Sequence, residues 1–404
     1  MSDMTQIDEF PFPRDEGCPL WPSEEYARRR HEEPVSRVRS GTDNDPWLIT
    51  RYADAIAVLG NPAAFSQDPL APGYPHRPGH SEILTSGFLM EIDPPLHTRL
   101  RGVVNDEFSV RRIGGHAELV RRVVSQVLDD FLASGSPADL VSGVAYRLPG
   151  LVICELLGVP YEDKDLFLNW ITLCFGPPNE ESQKQAAVAA KEFADYVDEL
   201  LTQKQQSPSD DIIGRMVKNS LEPGTVSRDE LLTLIRSLVV GGFDTTANTI
   251  SLGTLAFLLH PEQMAALRDD SGLAGNAAEE VLRVTAITHL GRRRAARKDV
   301  EVGGTLIRAG EGVIVSQDAV NRDESLFDDP DRFNIERTGA RRHMSFGFGI
   351  HLCVGSPLAR LELKELFAQM FVRIPTLSLA GTRNDVGYKA DGNIWGLQRL
   401  EVRW

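Results

Sequence analysis

Cysteine is scarce in this chain. There are 4 in 404 residues, at positions 18, 154, 174 and 353. They lie far apart and form no Cys-x-x-Cys pair, so neither a zinc knuckle nor a disulfide framework is indicated. Positive charge is in deficit too. Against 58 Asp and Glu stand 43 Lys and Arg, a net charge of −15, which excludes the overall basic footprint of a general nucleic-acid binder. No uncharged apolar run reaches the length that spans a bilayer. The opening "MSDMTQIDEF" is polar and acidic and lacks a signal-peptide core. A cytoplasmic protein without a membrane or nucleic-acid partner is expected. Repeats, low-complexity tracts and linkers between independent halves are missing as well. What the chain does have is a hydrophobic fraction of 42%, enough for a large core.

The coarse pattern is mainly helical with small β-sheets, read as one domain over residues 1–404 with a mobile tail at 1–15. "PWLITRY" (Pro46–Tyr52) reads as a strand. From Ser66 to Asp93 prolines and glycines mark a long loop, which in a compact domain is usually functional or mobile. Amphipathic helical patterns dominate from Pro95 to Leu290. Asp299–Val315 reads as a hairpin turned at Gly303-Gly304, a dipeptide suited to positive φ. A last long helix is expected over Gly355–Val372.

One stretch stands out, "FGFGIHLCVG" (Phe346–Gly355). Its glycines weaken regular structure by about 1 kcal/mol each relative to alanine, so the bare backbone needs a reason. Gly347 and Gly349 let the chain turn and approach something flat with no Cβ in the way. The apolar pattern after Cys353 (Val354, Leu358, Leu361, Leu363, Phe367) supports a helix starting there. A thiolate near a helix N-terminus is favoured by free N–H groups and the helix dipole. Thiolate, bare backbone and flat partner together point to haem iron with a cysteine axial ligand, with His351 directed at a propionate. The plain alternative is an inert cysteine in a glycine-rich turn. A zinc site of His351 and Cys353 lacks a second ligand pair.

"FGFGIHLCVGSPLAR" resembles the haem-binding signature of the cytochrome P450 family in Phe346, Gly347, Gly349, His351, Cys353, Gly355 and Leu358–Arg360. The likeness extends from "PWLITRY" to "GNIWGLQ" and includes the opening "CPLWPSEEYARRRHEEPVSRVR", which looks like soluble bacterial, especially actinobacterial, members. Leu231–His260 is apolar almost all round, as a buried helix is. Gly241-Gly242 costs it about 2 kcal/mol and is a site for a kink. Its "GGFDTT" matches the family's acid–alcohol motif, with Gly241 where alanine is common. The resemblance implies that Thr245 hydrogen-bonds dioxygen and Asp244 relays protons. The alternative is a core helix with a satisfied Asp and a back-bonded Thr.

Further positions carry over. His97 and Arg101, four apart on one helix face after a cap at Asp93, and Arg294 of "RRRAARKDVEV" align with the family's propionate-binding cations. Arg292 and Arg293 flank Arg294 as rivals. Glu280-x-x-Arg283 with Arg332 of "DPDRF" aligns with a buried structural triad. Substrate would meet Phe88, Leu89, Met90, Ser237, Val240, Gly241, Ile287, Thr288, Ile394 and Trp395, with Phe175–Gln183 as a lid. The implied enzyme is a monomeric monooxygenase that binds haem b and oxidises a small to medium, mostly apolar molecule. No flavin or iron–sulfur motif is present, so electrons are expected from a separate ferredoxin or flavodoxin with its NAD(P)H reductase. Arg111, Arg112, Arg341, Arg342 and Lys364 are its candidate docking cations. Competing readings are a haem-thiolate nitric oxide reductase or peroxygenase, which need no proton relay for dioxygen, and a non-enzymatic haem sensor.

Overall fold

The computed structural model describes residues 7–14, 20–41, 45–76, 88–174, 180–389 and 394–404. The expected lid at Phe175–Gln183 begins, and the long loop 66–93 runs in part, outside the described residues. The chain divides into two compact units, Met1–Leu96 with Glu279–Cys353, and His97–Ala278 with Val354–Trp404. Among the described residues no helix is long and apolar enough to cross a membrane.

The first unit is organised by a five-stranded sheet in the order Val35–Arg37, Trp47–Ile49, Gly312–Val315, Arg292–Ala296, Phe65–Ser66. Trp47–Ile49 pairs parallel with Gly312–Val315, in the register Leu48↔Ile314. Side chains alternate across the sheet. Ile49, Val313 and Val315 enter one core with Phe65, Ala296 and Met344. Leu48 and Ile314 enter another with Phe10, Phe12, Tyr26 and Val38. Each such fully buried side chain contributes about 1.5–3 kcal/mol. Phe10 and Phe12 therefore anchor residues 7–14, helped by Arg14, which donates to Asp318 Oδ2 at 2.8 Å. This corrects the expectation of a mobile tail for that stretch. The hairpin is shorter than read: Val300–Val302 pairs with Thr305–Ile307 across Gly303 (φ +56°) and Gly304 (φ +79°), while Gly312–Val315 joins the five-stranded sheet instead.

In the second unit a 32-residue helix, Arg228–Leu259, is buried along most of its length. Ser227 caps it, accepting from Glu230 N–H at 3.2 Å while Glu230 Oε2 accepts from Ser227 N–H at 2.9 Å, a reciprocal capping box. It runs unbroken through Gly241-Gly242. The helix Ser356–Arg373 carries Phe367 and Phe371, whose rings sit 5.2 and 4.8 Å from that of Phe257. Small sheets complete the unit: Ala138–Asp139, Glu401–Arg403 and Ser378–Leu379 form one, and Gly387–Tyr388 with Leu397–Arg399 another.

Candidate functional site

In the first unit the cysteine loop is closed by its own backbone. Gly347 N–H donates to Met344 O at 2.8 Å, Leu352 N–H to Gly349 O at 3.1 Å, and Cys353 N–H to Phe346 O at 2.9 Å. Gly347 and Gly349 have φ of +76° and +73°. A Cβ on Gly349 would lie 2.6 Å from Leu59 O, so glycine is needed there on two counts. The loop's base is tied down at Met344 and Ser345. Met344 N–H donates to Asn321 Oδ1 at 2.7 Å, and Ser345 Oγ donates to Leu282 O at 2.6 Å. Sequence reading missed His343. Its Nδ1 accepts from Ser345 N–H at 3.1 Å, which leaves the proton on Nε2 for Glu279, also 3.1 Å away. Cys353 is half-buried, and the helix Ser356–Arg373 begins three residues after it.

Beneath the loop lies the Glu280–Arg283 pair, wholly buried and bidentate, at 2.8 Å for both contacts. The third member is Arg337, whose Nε lies 3.1 Å from both Glu280 oxygens. This corrects the assignment to Arg332. The guanidinium of Arg332 is on the exposed surface, and the residue joins only through its carbonyl, which accepts from Arg337 Nη2 at 2.7 Å and Arg283 Nη2 at 3.3 Å.

The arginine triplet sorts itself by strand alternation. Arg293 Nη1 donates to the carbonyls of Pro75 and His76, at 2.6 and 2.5 Å. Arg292 Nη2 donates to Ser345 O at 3.1 Å. Arg294 is buried, donates to Arg293 O at 2.7 Å, and forms no ion pair with a carboxylate among the described residues. Burial pushes its pKa down to about 10. In the second unit His97 is buried on the helix Leu96–Asn105, and Arg101 Nε donates to Asn105 Oδ1 at 2.7 Å. Asp93 does not serve as the expected cap. Its carboxylate instead accepts from Ser66 Oγ, from Gln67 N–H at 3.1 Å and from Arg297 Nη2 at 2.5 Å.

On the long helix Thr245 Oγ1 donates to Gly241 O at 2.5 Å. Asp244 is buried, and its Oδ1 accepts from Tyr146 Oη at 2.9 Å and faces Lys389 Nζ at 3.3 Å. Both features of the core-helix alternative are thus present, a satisfied acid and a back-bonded hydroxyl. Gly241 adds what a tight core would not. A Cβ there would meet nothing within 4 Å.

Of the expected substrate contacts, the first unit carries Phe88 and Leu89 buried, Met90 exposed, and Ile287 and Thr288 half-buried. The second carries Ser237 buried, Val240, Gly241 and Ile394 half-buried, and Trp395 buried and stacked on Tyr388 at 5.5 Å.

Within the first unit the residues suit a haem. Arg294 is a buried cation that a propionate would complement, the imidazole of His351 adds a donor, and Cys353 offers a half-buried thiol on a loop bared by glycine. The second unit, taken by itself, holds the candidate donors His97 and Arg101, and Gly241 leaves space beside a polar stretch of an otherwise apolar helix.

Comparison with known proteins gives the class. The family model "Cytochrome P450" matches residues 165–374. The cytochrome P450 GfsF of Streptomyces halstedii is 38% identical over 98% of this chain and 96% of its own length. Its crystal structure superposes with a TM-score of 0.91, covering 98% of this chain and 100% of that one. A vitamin D3 dihydroxylase of Streptomyces griseolus is 38% identical over 97% of this chain and 96% of the relative. The mycinamicin VIII C21 methyl hydroxylase MycCI of Micromonospora griseorubida, solved with mycinamicin VIII, is 32% identical with a TM-score of 0.86, covering 99% and 100%. The chain belongs to the cytochrome P450 family and has its fold. It is a monooxygenase of that family, whose members bind haem b through a cysteine thiolate.

Proposed function

We propose that this chain inserts one oxygen atom from dioxygen into a small to medium, mostly apolar organic substrate, using electrons from a separate ferredoxin or flavodoxin with its NAD(P)H reductase. The observation that carries the reading is the cysteine loop, held open by two left-handed glycines and pinned to the Glu280 network below it. Cys353 is the iron ligand, and His97, Arg101, Arg294 and His351 hold the propionates. When bound, the haem supplies the reductive activation of dioxygen; the protein positions, excludes water and moves protons.

Asp244 carries protons, and Thr245 receives them or orients a water through the hydroxyl now bonded to Gly241 O. The side chains assigned to substrate are apolar with a few hydroxyls, as small-molecule sites are. The names of the relatives, a vitamin D3 dihydroxylase and a mycinamicin VIII methyl hydroxylase, support hydroxylation of a medium-sized organic molecule.

The test has two parts. The reduced protein treated with carbon monoxide should show a thiolate-ligated haem spectrum that Cys353→Ser abolishes. Titration with a library of apolar compounds should then shift the haem band for a subset. A Cys353→Ser protein with an unaltered carbon monoxide spectrum defeats the assignment.

A further inference from the structure

Asp244 is not simply buried; it is gripped. Tyr146 and Lys389 converge on one carboxylate oxygen, and all three residues belong to the second unit. Tyr146 follows a wide helical turn, Val141–Ala145, and starts the helix Arg147–Leu157. Its ring tilts against Phe243, the residue before Asp244, at 5.2 Å. Lys389 follows the strand Gly387–Tyr388, and its N–H donates to Gly396 O at 3.0 Å, which fixes the root of its side chain.

The polarity of the contacts is set by chemistry. An ammonium can only donate, so Lys389 Nζ donates to Tyr146 Oη at 2.5 Å and to Asp244 Oδ1 at 3.3 Å. With its oxygen accepting from Lys389, Tyr146 donates its own proton to Asp244 Oδ1 at 2.9 Å. Burial, then the charge of Asp244, push the phenol pKa well above its ordinary value, so Tyr146 stays a donor at any working pH. Exposure grades along the chain: the Asp244 side chain is 7% exposed and that of Lys389 20%.

We propose that Tyr146 and Lys389 are positioning residues that fix the Asp244 carboxylate and conduct its proton exchange with solvent. The inference rests on the reading of Asp244 as the proton carrier. The transfer is balanced. As Asp244 Oδ1 takes the Tyr146 proton, Tyr146 Oη takes one from Lys389 Nζ. The neutral amine of Lys389 then regains a proton from hydronium or a buffer acid in the solvent, and no electrons move.

Two readouts test it. The first needs no turnover: a double-mutant cycle on thermal unfolding of the resting protein. Lys389→Met should lower the melting temperature by about 1–3 °C, and the loss should vanish in an Asp244→Asn background. Equal losses in both backgrounds overturn the linkage. The second is dioxygen uptake driven by NADPH through a plant-type ferredoxin and its reductase, run in H2O and D2O. Tyr146→Phe and Lys389→Met should each slow uptake about tenfold or more and enlarge the solvent isotope ratio. Lys389→Arg should keep the thermal linkage to Asp244 but leave uptake slow, since a guanidinium donates hydrogen bonds yet does not release its proton. In the Asp244→Asn background neither change should add a further loss. Undiminished uptake in Tyr146→Phe and Lys389→Met, with Asp244→Asn slow, overturns the inference and leaves the reading of Asp244 standing. Undiminished uptake in Asp244→Asn overturns both. Each variant must keep the carbon monoxide spectrum of the parent, so that a slow rate reports proton transfer rather than lost haem.

Discussion

Arg337 Nε lies 3.1 Å from each carboxylate oxygen of Glu280, the acid that also binds Arg283 bidentately. Two guanidinium groups thus share one wholly buried carboxylate. Removing Arg337 leaves Glu280 paired with Arg283 but takes away buried charge-assisted hydrogen bonds to Glu280 and to the carbonyls of Asp329 and Arg332, at a cost of about 3 kcal/mol or more. Arg337→Ala should therefore lower unfolding stability by that order. Arg332→Ala, which leaves the participating carbonyl in place, should stay within about 0.5 kcal/mol as an ordinary surface change. Denaturant unfolding of the two variants decides the matter, and a larger loss at Arg332 would restore the assignment made from the motif.

The two left-handed glycines of the cysteine loop differ in what surrounds them. Alanine at Gly347 would meet nothing closer than 3.8 Å, so it carries only the backbone penalty of φ +76°, about 1 kcal/mol. Alanine at Gly349 adds a 2.6 Å clash with Leu59 O, a backbone atom that cannot swing aside. Gly349→Ala should destabilise by clearly more than Gly347→Ala, and it should reduce haem content in purified protein. Absorbance per chain, measured on both variants expressed alike, reads this out. Equal haem loading would mean that the strand of chain at Leu59 yields.

Glu362 gives a pH dependence. It is buried in the helix Ser356–Arg373, and its Oε2 has no hydrogen-bond partner among the described residues. Burial alone raises its pKa to about 8. An acid whose folded pKa lies above its unfolded value stabilises fully below the unfolded value of 4.5. That contribution is lost as pH rises to the folded value, because the unfolded chain ionises first. Glu362→Gln keeps the shape and removes the titration. The variant and parent should melt alike near pH 4.5, and the variant should gain progressively up to about pH 8, with a constant gap above. A gap independent of pH would show that Glu362 is ionised in the fold and held by a partner.

Much of the fold was legible because its signals are local. The Gly303-Gly304 hairpin follows from two positive-φ positions between apolar strands, and the long helix from a run that is apolar almost all round. The cysteine loop is a contiguous pattern, so its residues are legible in the sequence itself. What stayed hidden depends on long-range pairing. Nothing in "PWLITRY" announces that Trp47–Ile49 lies parallel to Gly312–Val315. Arg332 and Arg337 are five residues apart in one loop, and only the path of the backbone decides which guanidinium reaches Glu280. Strand alternation separates Arg293 from its neighbours, yet which face meets carbonyls is a tertiary fact. Tyr146 and Lys389 precede and follow Asp244 by 98 and 145 residues; no spacing rule joins them.

The electron donor offers the last prediction. Arg111 is exposed and Arg112 half-exposed on the short helix Val110–Gly114, where Ser109 Oγ caps by accepting from Arg112 N–H at 3.3 Å. Among the described residues Arg112 has one ion-pair contact, to Glu107 at 3.6 Å, and Glu107 is already held by Arg215 at 2.7 Å. Both arginines thus keep most of their charge for solvent or a partner, in a chain whose total is −15. An acidic ferredoxin or flavodoxin docking there would be steered by them, and steering between exposed charges weakens within a Debye length of about 8 Å at physiological salt. Arg111→Glu with Arg112→Glu should slow first-electron transfer about tenfold or more at low salt and flatten its salt dependence, leaving the carbon monoxide spectrum unchanged. Stopped-flow reduction by a ferredoxin across a salt series measures both. Kinetics identical to the parent at every salt concentration would move the docking surface elsewhere.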